Sequence, residues 1–153
     1  MAQSLLEDLP EQAFTDSTIK RMYELVNRAK TDASFQKLIY GVVNGSMPGQ
    51  WKNYRQELST ILKWARTVAD YRRDPYGVEL LQDVWATLDR KRGDCDDFTV
   101  LLAAAAEILG CPCRIVTVST RKDRSPNHVY PEAHVSGRWL GMDATMKGTS
   151  LGW

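Results

Sequence analysis

A cysteine at the predicted start of an amphipathic helix is the feature that most constrains the fold of this chain. Apolar residues recur there at helical spacing, which predicts a helix with one buried face: Phe98, Leu101, Leu102, Ala105, Ile108 and Leu109. Asp94 is a favourable N-cap residue, and Gly110 is a favourable C′ residue. Cys95 therefore falls in the first turn, where backbone N–H groups are unpaired and the helix dipole favours an anion.

The protonation state of the Cys95 thiol depends on two opposing effects. A helix N-terminus lowers the pKa of a cysteine and so favours the nucleophilic thiolate. The neighbouring carboxylates oppose a second negative charge; they belong to Asp94, Asp96 and Asp97. A cationic imidazole is needed to offset them, so Cys95 without a histidine partner is expected to be an ordinary thiol.

A predicted β-hairpin supplies a histidine and an aspartate. Two candidate strands flank Ser136-Gly137, a two-residue loop that ends in glycine and favours a hairpin turn. Counting outward from this turn places Tyr130 opposite Asp143. His128 and Asp143 then project from one face as diagonal neighbours, roughly 7–8 Å apart at the backbone. An aspartate at that distance can fix the orientation and tautomer of the imidazole.

The second histidine fails the same geometric test. His134 lies near the turn, opposite Trp139, and roughly 13 Å along the strand from the level of Asp143. We interpret His134 as an ordinary hairpin residue.

Three segments of the sequence together resemble the transglutaminase-like superfamily. They are Gly93-Asp-Cys-Asp-Asp-Phe98, His128-Val-Tyr-Pro-Glu132 and Trp139-Leu-Gly-Met-Asp143-Ala-Thr145. They follow the family's order, and the resemblance extends over residues 74–145. It implies an α+β fold with a papain-like core, in which the nucleophile helix packs on an antiparallel sheet. It also implies a Cys-His-Asp triad, with Cys95 as the nucleophile, His128 as the base and Asp143 as the orienting acid.

The segment before the cysteine helix resembles one subgroup of this superfamily. Residues 73–82 are similar to a subgroup found in tailed bacteriophages and prophages. In papain-like folds a glutamine upstream of the nucleophile often binds the oxyanion, so the resemblance makes Gln82 the candidate, with the Cys95 backbone N–H as the second donor. Gln82 is equally well explained as a polar residue at a helix start. The indole N–H of Trp85 is an alternative donor, although a core position is favoured for it.

The sequence departs from the family pattern in the histidine strand. Pro131 lacks an N–H, so that side of the strand is expected to be an edge or a bulge. Tyr130 stands where the family frequently has tryptophan. Both changes bear on the shape of the substrate groove and leave the catalytic groups in place.

The N-terminal part of the chain is predicted to be helical. Three stripes of apolar residues recur at helical spacing: Ile19, Met22, Leu25, Val26 and Ala29; Phe35, Leu38, Ile39, Val42 and Val43; and Leu58, Ile61, Leu62, Ala65 and Val68. We expect residues 1–70 to cover a catalytic core of residues 74–146, with the whole chain, 1–153, forming a single domain. Residues 113–119 are predicted to form a strand that joins the hairpin.

Composition argues against several other classes of protein. The net charge of +1 argues against binding nucleic acid by bulk charge. No stretch approaches the ~20 apolar residues of a membrane span, and the N-terminus has no signal-peptide pattern. Three cysteines are an odd number for a disulfide framework, and Cys111-Pro-Cys113 lacks the further ligands of a structural zinc site. We expect no metal and no cofactor, including at the acidic residues around Cys95.

The sequence predicts a thiol hydrolase or acyltransferase that acts on amide bonds of a protein or peptide through a thioester. Hydrolysis makes such an enzyme a cysteine protease or amidase, whereas attack by an amine makes it a transglutaminase. The alternative is a non-enzymatic phage structural or assembly protein that retains the fold and binds phage structural proteins. Either function implies a location in the cytoplasm of a bacterial host or on the virion.

Overall fold

The computed structural model describes residues 16–46, 53–73, 81–119, 122 and 126–153. The helices there are α1 (Asp16–Lys30), α2 (Ala33–Ser46), α3 (Tyr54–Val68), α4 (Val84–Arg90) and α5 (Cys95–Ile108). The strands are β1 (Asp70–Tyr71), β2 (Arg92–Gly93), β3 (Cys113–Val118), β4 (His128–Val135) and β5 (Arg138–Gly141). β1 and β2 form a short parallel pair, and the other strands form an antiparallel sheet in the order β3-β4-β5. The predicted α+β class is confirmed.

Helices α1 to α3 carry the three predicted apolar stripes. Most stripe residues are buried: Met22, Leu25, Val26, Ala29, Phe35, Ile39, Val43, Leu58, Ile61, Leu62 and Ala65. All three helices contact α5, so their apolar faces close the core around it.

Helix α5 is the centre of the molecule. It contacts the three N-terminal helices, α4, β3 and β4, and every residue from Asp96 to Ala106 is buried. Its end is a Schellman motif, because Gly110 has φ +94° and the Gly110 and Cys111 N–H groups bond to Glu107 and Ala106. The helix bounds predicted from Asp94 and Gly110 are thus confirmed.

Strand β4 presents one face to α5 and the other away from it. Its residues alternate between buried and half-buried along the whole strand, as expected for side chains that point to opposite faces. Val129, Ala133 and Val135 belong to the buried set. His128 and Tyr130 belong to the half-buried set, on the open face.

The hairpin turn is where the sequence places it. Val135 pairs with Arg138, and the turn residues Ser136 and Gly137 have φ values of 50° and 78°. Positive φ at both central residues is typical of a type I′ turn, whose twist matches that of the strands.

Proline 131 ends the β4–β5 ladder. The paired residues stop at Glu132 and Gly141, and beyond them Met142 donates to the Pro131 carbonyl at 2.9 Å. The return bond cannot form because proline has no N–H. From Pro131 back to His128, that side of β4 is therefore an edge, as expected. The expected strand pairing of Tyr130 with Asp143 is wrong, because Asp143 has already left β5.

Some predictions fall on residues outside the described ranges. Residues 74–80, which form most of the phage-like segment, are among them. None of the helices in the described ranges is both long enough and apolar enough to cross a membrane.

Candidate active site

The start of α5 fixes the position of Cys95. Asp94 is the N-cap, and it forms a capping box with Asp97, in which each side chain accepts from the backbone N–H of the other. A Cβ at Gly93 would lie 2.8 Å from the Asp97 Cβ, so only glycine allows β2 to approach this turn closely. Cys95 consequently occupies the first residue of the helix, as predicted.

A threonine one turn later joins the cysteine to the histidine strand. The Thr99 hydroxyl lies 2.7 Å from the Cys95 carbonyl and 3.3 Å from the Val129 carbonyl. The Val129 backbone N–H is near enough to the Cys95 sulfur to lower its pKa. These contacts place the sulfur beside the start of β4, next in sequence to His128.

His128 and Asp143 form the predicted hydrogen bond. His128 Nε2 lies 2.5 Å from Asp143 Oδ2, and Asp143 is 2% exposed. The other carboxylate oxygen accepts from the Thr145 backbone N–H and hydroxyl, at 2.9 and 2.7 Å. Burial alone would raise the pKa of Asp143, but the hydrogen bonds from His128 and Thr145 outweigh it and lower that pKa. The carboxylate is therefore held ionised beside the imidazole.

The surroundings of the Cys95 sulfur favour the neutral thiol. Burial raises its pKa to about 11, and the charge of Asp143 adds to the rise, while N–H groups of Val129, Cys95 and Asp96 oppose it. Among the described residues, the sulfur makes no hydrogen bond to the His128 ring. Burial and Asp143, rather than the neighbouring carboxylates considered in the sequence, are the causes that raise this pKa.

An arginine from α3 anchors the Asp143 loop, and no sequence pattern pointed to this residue. One Arg66 nitrogen, Nη2, lies 2.7 Å from the Asp143 carbonyl, 3.1 Å from the Met146 carbonyl and 3.0 Å from the Thr149 hydroxyl. Its Nε donates to the Ala144 carbonyl at 3.4 Å. A single side chain therefore fixes the backbone on which the Asp143 carboxylate sits.

Both predicted side-chain donors for an oxyanion are engaged elsewhere. The Gln82 amide donates to the Arg92 carbonyl at 3.0 Å and to the Asp97 carboxylate at 2.9 Å, which uses both of its hydrogens. The Trp85 indole donates to Asp32 at 2.8 Å, and its ring packs against the core. The Gln82 amide thus stabilises the capping box through Asp97. To donate to an oxyanion, this amide would have to break one of its two hydrogen bonds.

His134 lies opposite Trp139, as predicted. The centroids of their rings are 4.9 Å apart, and Arg114 stacks over Trp139 at 4.3 Å. These contacts belong to the turn end of the sheet, whereas the His128 contact with Asp143 lies at the other end of β4.

The acidic residues near Cys95 serve the helix start. In the described ranges, ligand atoms of Asp94, Asp96 and Asp97 lie within 4.8 Å of one another. Asp97 accepts from the Gln82 backbone N–H at 2.8 Å as well as from the Gln82 amide, and Asp96 accepts from the Asp97 N–H at 3.0 Å. Hydrogen bonds within the fold account for these carboxylates, and we assign no metal to them.

The sequence matches a known protein family over most of its length. A model of the transglutaminase-like superfamily matches residues 36–144, which is more than half of the sequence. This chain belongs to the transglutaminase-like superfamily. The match begins within α2, ahead of residue 74, so most of α2 and all of α3 fall within the region that the family shares.

Three solved structures share the fold. A Cytophaga hutchinsonii protein, provisionally assigned as a cysteine protease, superimposes with a TM-score of 0.61 at 22% identity, over 87% of this chain and 44% of its own. A TGase gives 0.56 at 16% identity, over 88% and 40%. A Parabacteroides distasonis protein, provisionally assigned as a protease, gives 0.58 at 14% identity, over 86% and 30%. This chain thus spans less than half the length of each. A comparison with curated proteins found no match.

Proposed function

We propose that this protein is a thiol hydrolase or acyltransferase that cleaves an amide bond through a thioester on Cys95. The carrying observation is the placement of Cys95 at the first turn of α5, against the start of β4, where His128 is bonded to buried Asp143. Membership of the transglutaminase-like superfamily supports this proposal. A protein or peptide is the proposed substrate.

The hydrogen bond to Asp143 defines the role of each imidazole nitrogen. Because Nε2 faces Asp143, Nδ1 is the nitrogen left to accept the Cys95 proton. A thiol with a pKa of about 11 keeps its proton in the resting protein, so His128 removes it as attack begins. Asp143 stabilises the resulting imidazolium and holds the ring in place.

The reaction then proceeds in two halves. The sulfur attacks the carbonyl carbon, His128 returns the proton to the leaving amine, and the C–N bond breaks to leave a thioester. Water or a second amine attacks that thioester, gives its proton to His128, and releases Cys95 as the thiolate. Water yields a hydrolysis product, and an amine yields a new amide.

One observation favours the alternative, a non-enzymatic assembly protein. In the part of the chain that the structure describes, the Cys95 sulfur makes no hydrogen bond to the His128 imidazole, so the two groups are not joined as a catalytic pair. The phage or prophage origin, phage protein partners and the cellular location all stay predictions.

The test uses glutamine-containing peptides and a library of peptides of varied sequence, each incubated with and without a fluorescent primary amine. We expect wild-type protein to cleave peptide or to incorporate amine, and Cys95→Ala to do neither. The ratio of the two products separates hydrolysis from transfer. Product formed equally by both proteins would contradict the assignment of Cys95, and product from neither would favour the assembly role.

A further inference from the structure

A second oxyanion donor is missing from the residues that the sequence nominates. Attack on a carbonyl places negative charge on its oxygen, and donors aimed at that oxygen supply much of the catalysis. The Cys95 backbone N–H, at the first helical position, is one donor without an intrahelical partner. The Gln82 amide and the Trp85 indole are bonded elsewhere.

The β1–β2 pair places Tyr71 opposite Gly93, close in sequence to the nucleophile. Tyr71 is paired with Gly93, two residues before Cys95, and the Arg72 N–H fixes this register by donating to the Gly93 carbonyl at 2.8 Å. Tyr71 is 47% exposed, so its ring is open to an incoming substrate.

The chain neighbours of Tyr71 point the other way. Side chains alternate along a strand, and Asp70 and Arg72, on either side of Tyr71, line a separate hollow of about 410 Å³. Three basic residues complete its lining: Arg90, Lys91 and Arg92. Tyr71 therefore projects from the opposite side of the strand pair.

Electrostatics support this location. Partial burial of the ring raises the pKa of Tyr71, and the charges of the Cys95 thiolate, when it forms, and of Asp143 raise it further, while Arg73 opposes the rise through its charge and a hydrogen bond. Both ends of the proposed catalytic centre thus influence the phenol. A phenol that accepts from Arg73 keeps its own hydrogen available for donation.

We propose that Tyr71 is a catalytic residue whose hydroxyl donates to the tetrahedral oxyanion, together with the Cys95 N–H. This inference rests on the proposed thioester chemistry. As the C–S bond forms, the carbonyl π electrons move to oxygen, where the two donors stabilise them. When the C–N bond breaks, those electrons re-form the carbonyl. Tyr71 keeps its proton throughout, and the leaving amine takes its proton from His128.

Two reagents separate this role from a structural one. Iodoacetamide alkylates a thiolate by displacing iodide and forms no oxyanion, whereas a nitrophenyl ester acylates the sulfur through one. For Tyr71→Phe we expect alkylation of Cys95 to stay within a factor of about two and acylation to slow by about 10²-fold. Affinity for a peptide aldehyde, which forms a thiohemiacetal on Cys95, should fall by a similar factor.

Matched variants complete the experiment. Tyr40→Phe is the control, because its half-exposed hydroxyl bonds to the Ile108 carbonyl at the far end of α5, and we expect neither rate to change. Tyr71→Trp restores an N–H donor and should recover part of the acylation rate. A Tyr71→Phe protein that acylates at the wild-type rate, or loses both rates equally, would overturn the Tyr71 role alone. A wild-type protein that is alkylated but never acylated would overturn the proposed function and this inference with it.

Discussion

Cys95 differs from the other two cysteines in what surrounds its sulfur. Backbone N–H groups of Val129 and of its own helix turn lower its pKa and partly offset burial. Burial raises the pKa of Cys113 more strongly, with the charges of Glu107 and Cys111 adding to the rise, and Cys111 is 2% exposed. Of these three thiols, Cys95 is the one on the helix turn that contacts the start of β4, and it is the proposed nucleophile.

The pH dependence of Cys95 alkylation should identify its histidine partner. A thiol with a pKa of about 11 gains reactivity only as the pH rises toward that value, whereas a His128 imidazole that takes the proton as the reagent attacks adds reactivity at lower pH. His128→Ala should abolish the low-pH rate and leave the high-pH rise. His134→Ala should change the low-pH rate by no more than a factor of about two. The opposite pattern would mean that the histidine assignment is wrong.

Asp143 should make the stability of the protein sensitive to acid. Its pKa is lowered in the folded state, so the stabilisation is fully present above the unfolded value of about 4 and is lost as the pH falls through the folded pKa. Asp143→Asn should therefore lower Tm at neutral pH, and the difference from wild type should shrink in acid. Exposed Asp89→Asn is the control. A difference in Tm that does not vary with pH would contradict this role of the carboxylate.

Among the helices and strands, three close contacts hold the proposed active site together. β2 passes the first turn of α5 at Gly93, α3 reaches the Asp143 loop through Arg66, and Thr99 connects α5 to β4. Each contact fixes the position of a segment that carries a proposed catalytic residue. A substitution at any of these contacts should therefore shift that residue.

Gly93→Ala should destabilise the protein, because its Cβ would lie 2.8 Å from the Asp97 Cβ. We expect a loss of about 1–3 kcal/mol in the free energy of unfolding. Gly41→Ala is the matched control, since Gly41 lies within α2 with nothing within 4 Å of an added Cβ. That change should stabilise by about 0.5–1 kcal/mol. Denaturant titrations of both variants give the comparison, and equal effects would contradict the packing argument.

Arg66→Met should loosen the loop that carries Asp143. Losing the bonds to the Asp143, Ala144 and Met146 carbonyls should cost about 1–3 kcal/mol and reduce the low-pH alkylation of Cys95. Lys63→Met, an exposed cation on the same helix, should do neither. A stability loss with an unchanged alkylation profile would reduce Arg66 to a structural residue.

Across the whole molecule, local sequence patterns predicted individual helices and strands, whereas contacts between distant segments complete the proposed active site. The α5 bounds followed from Asp94 and Gly110, and the hairpin register followed from its two-residue turn, because both depend on neighbouring residues. The contribution of Arg66 depends on packing between α3 and a loop some eighty positions later, which no local pattern encodes. The oxyanion role expected for Gln82 stays a prediction; in this structure its amide donates to the side chain of Asp97, a contact that no local pattern encodes.

Single-turnover acylation with a nitrophenyl ester tests the proposed Cys95-His128-Asp143 triad most directly. The acylated residue is identified by intact-protein mass spectrometry and peptide mapping. We predict one acyl group on Cys95 of the wild-type protein and none on that site in Cys95→Ala or His128→Ala. Asp143→Asn should acylate about 10⁴-fold more slowly, because the imidazole loses its partner and tautomer. Acylation of Cys113 in place of Cys95, or equal rates in wild type and Asp143→Asn, would contradict the proposed triad.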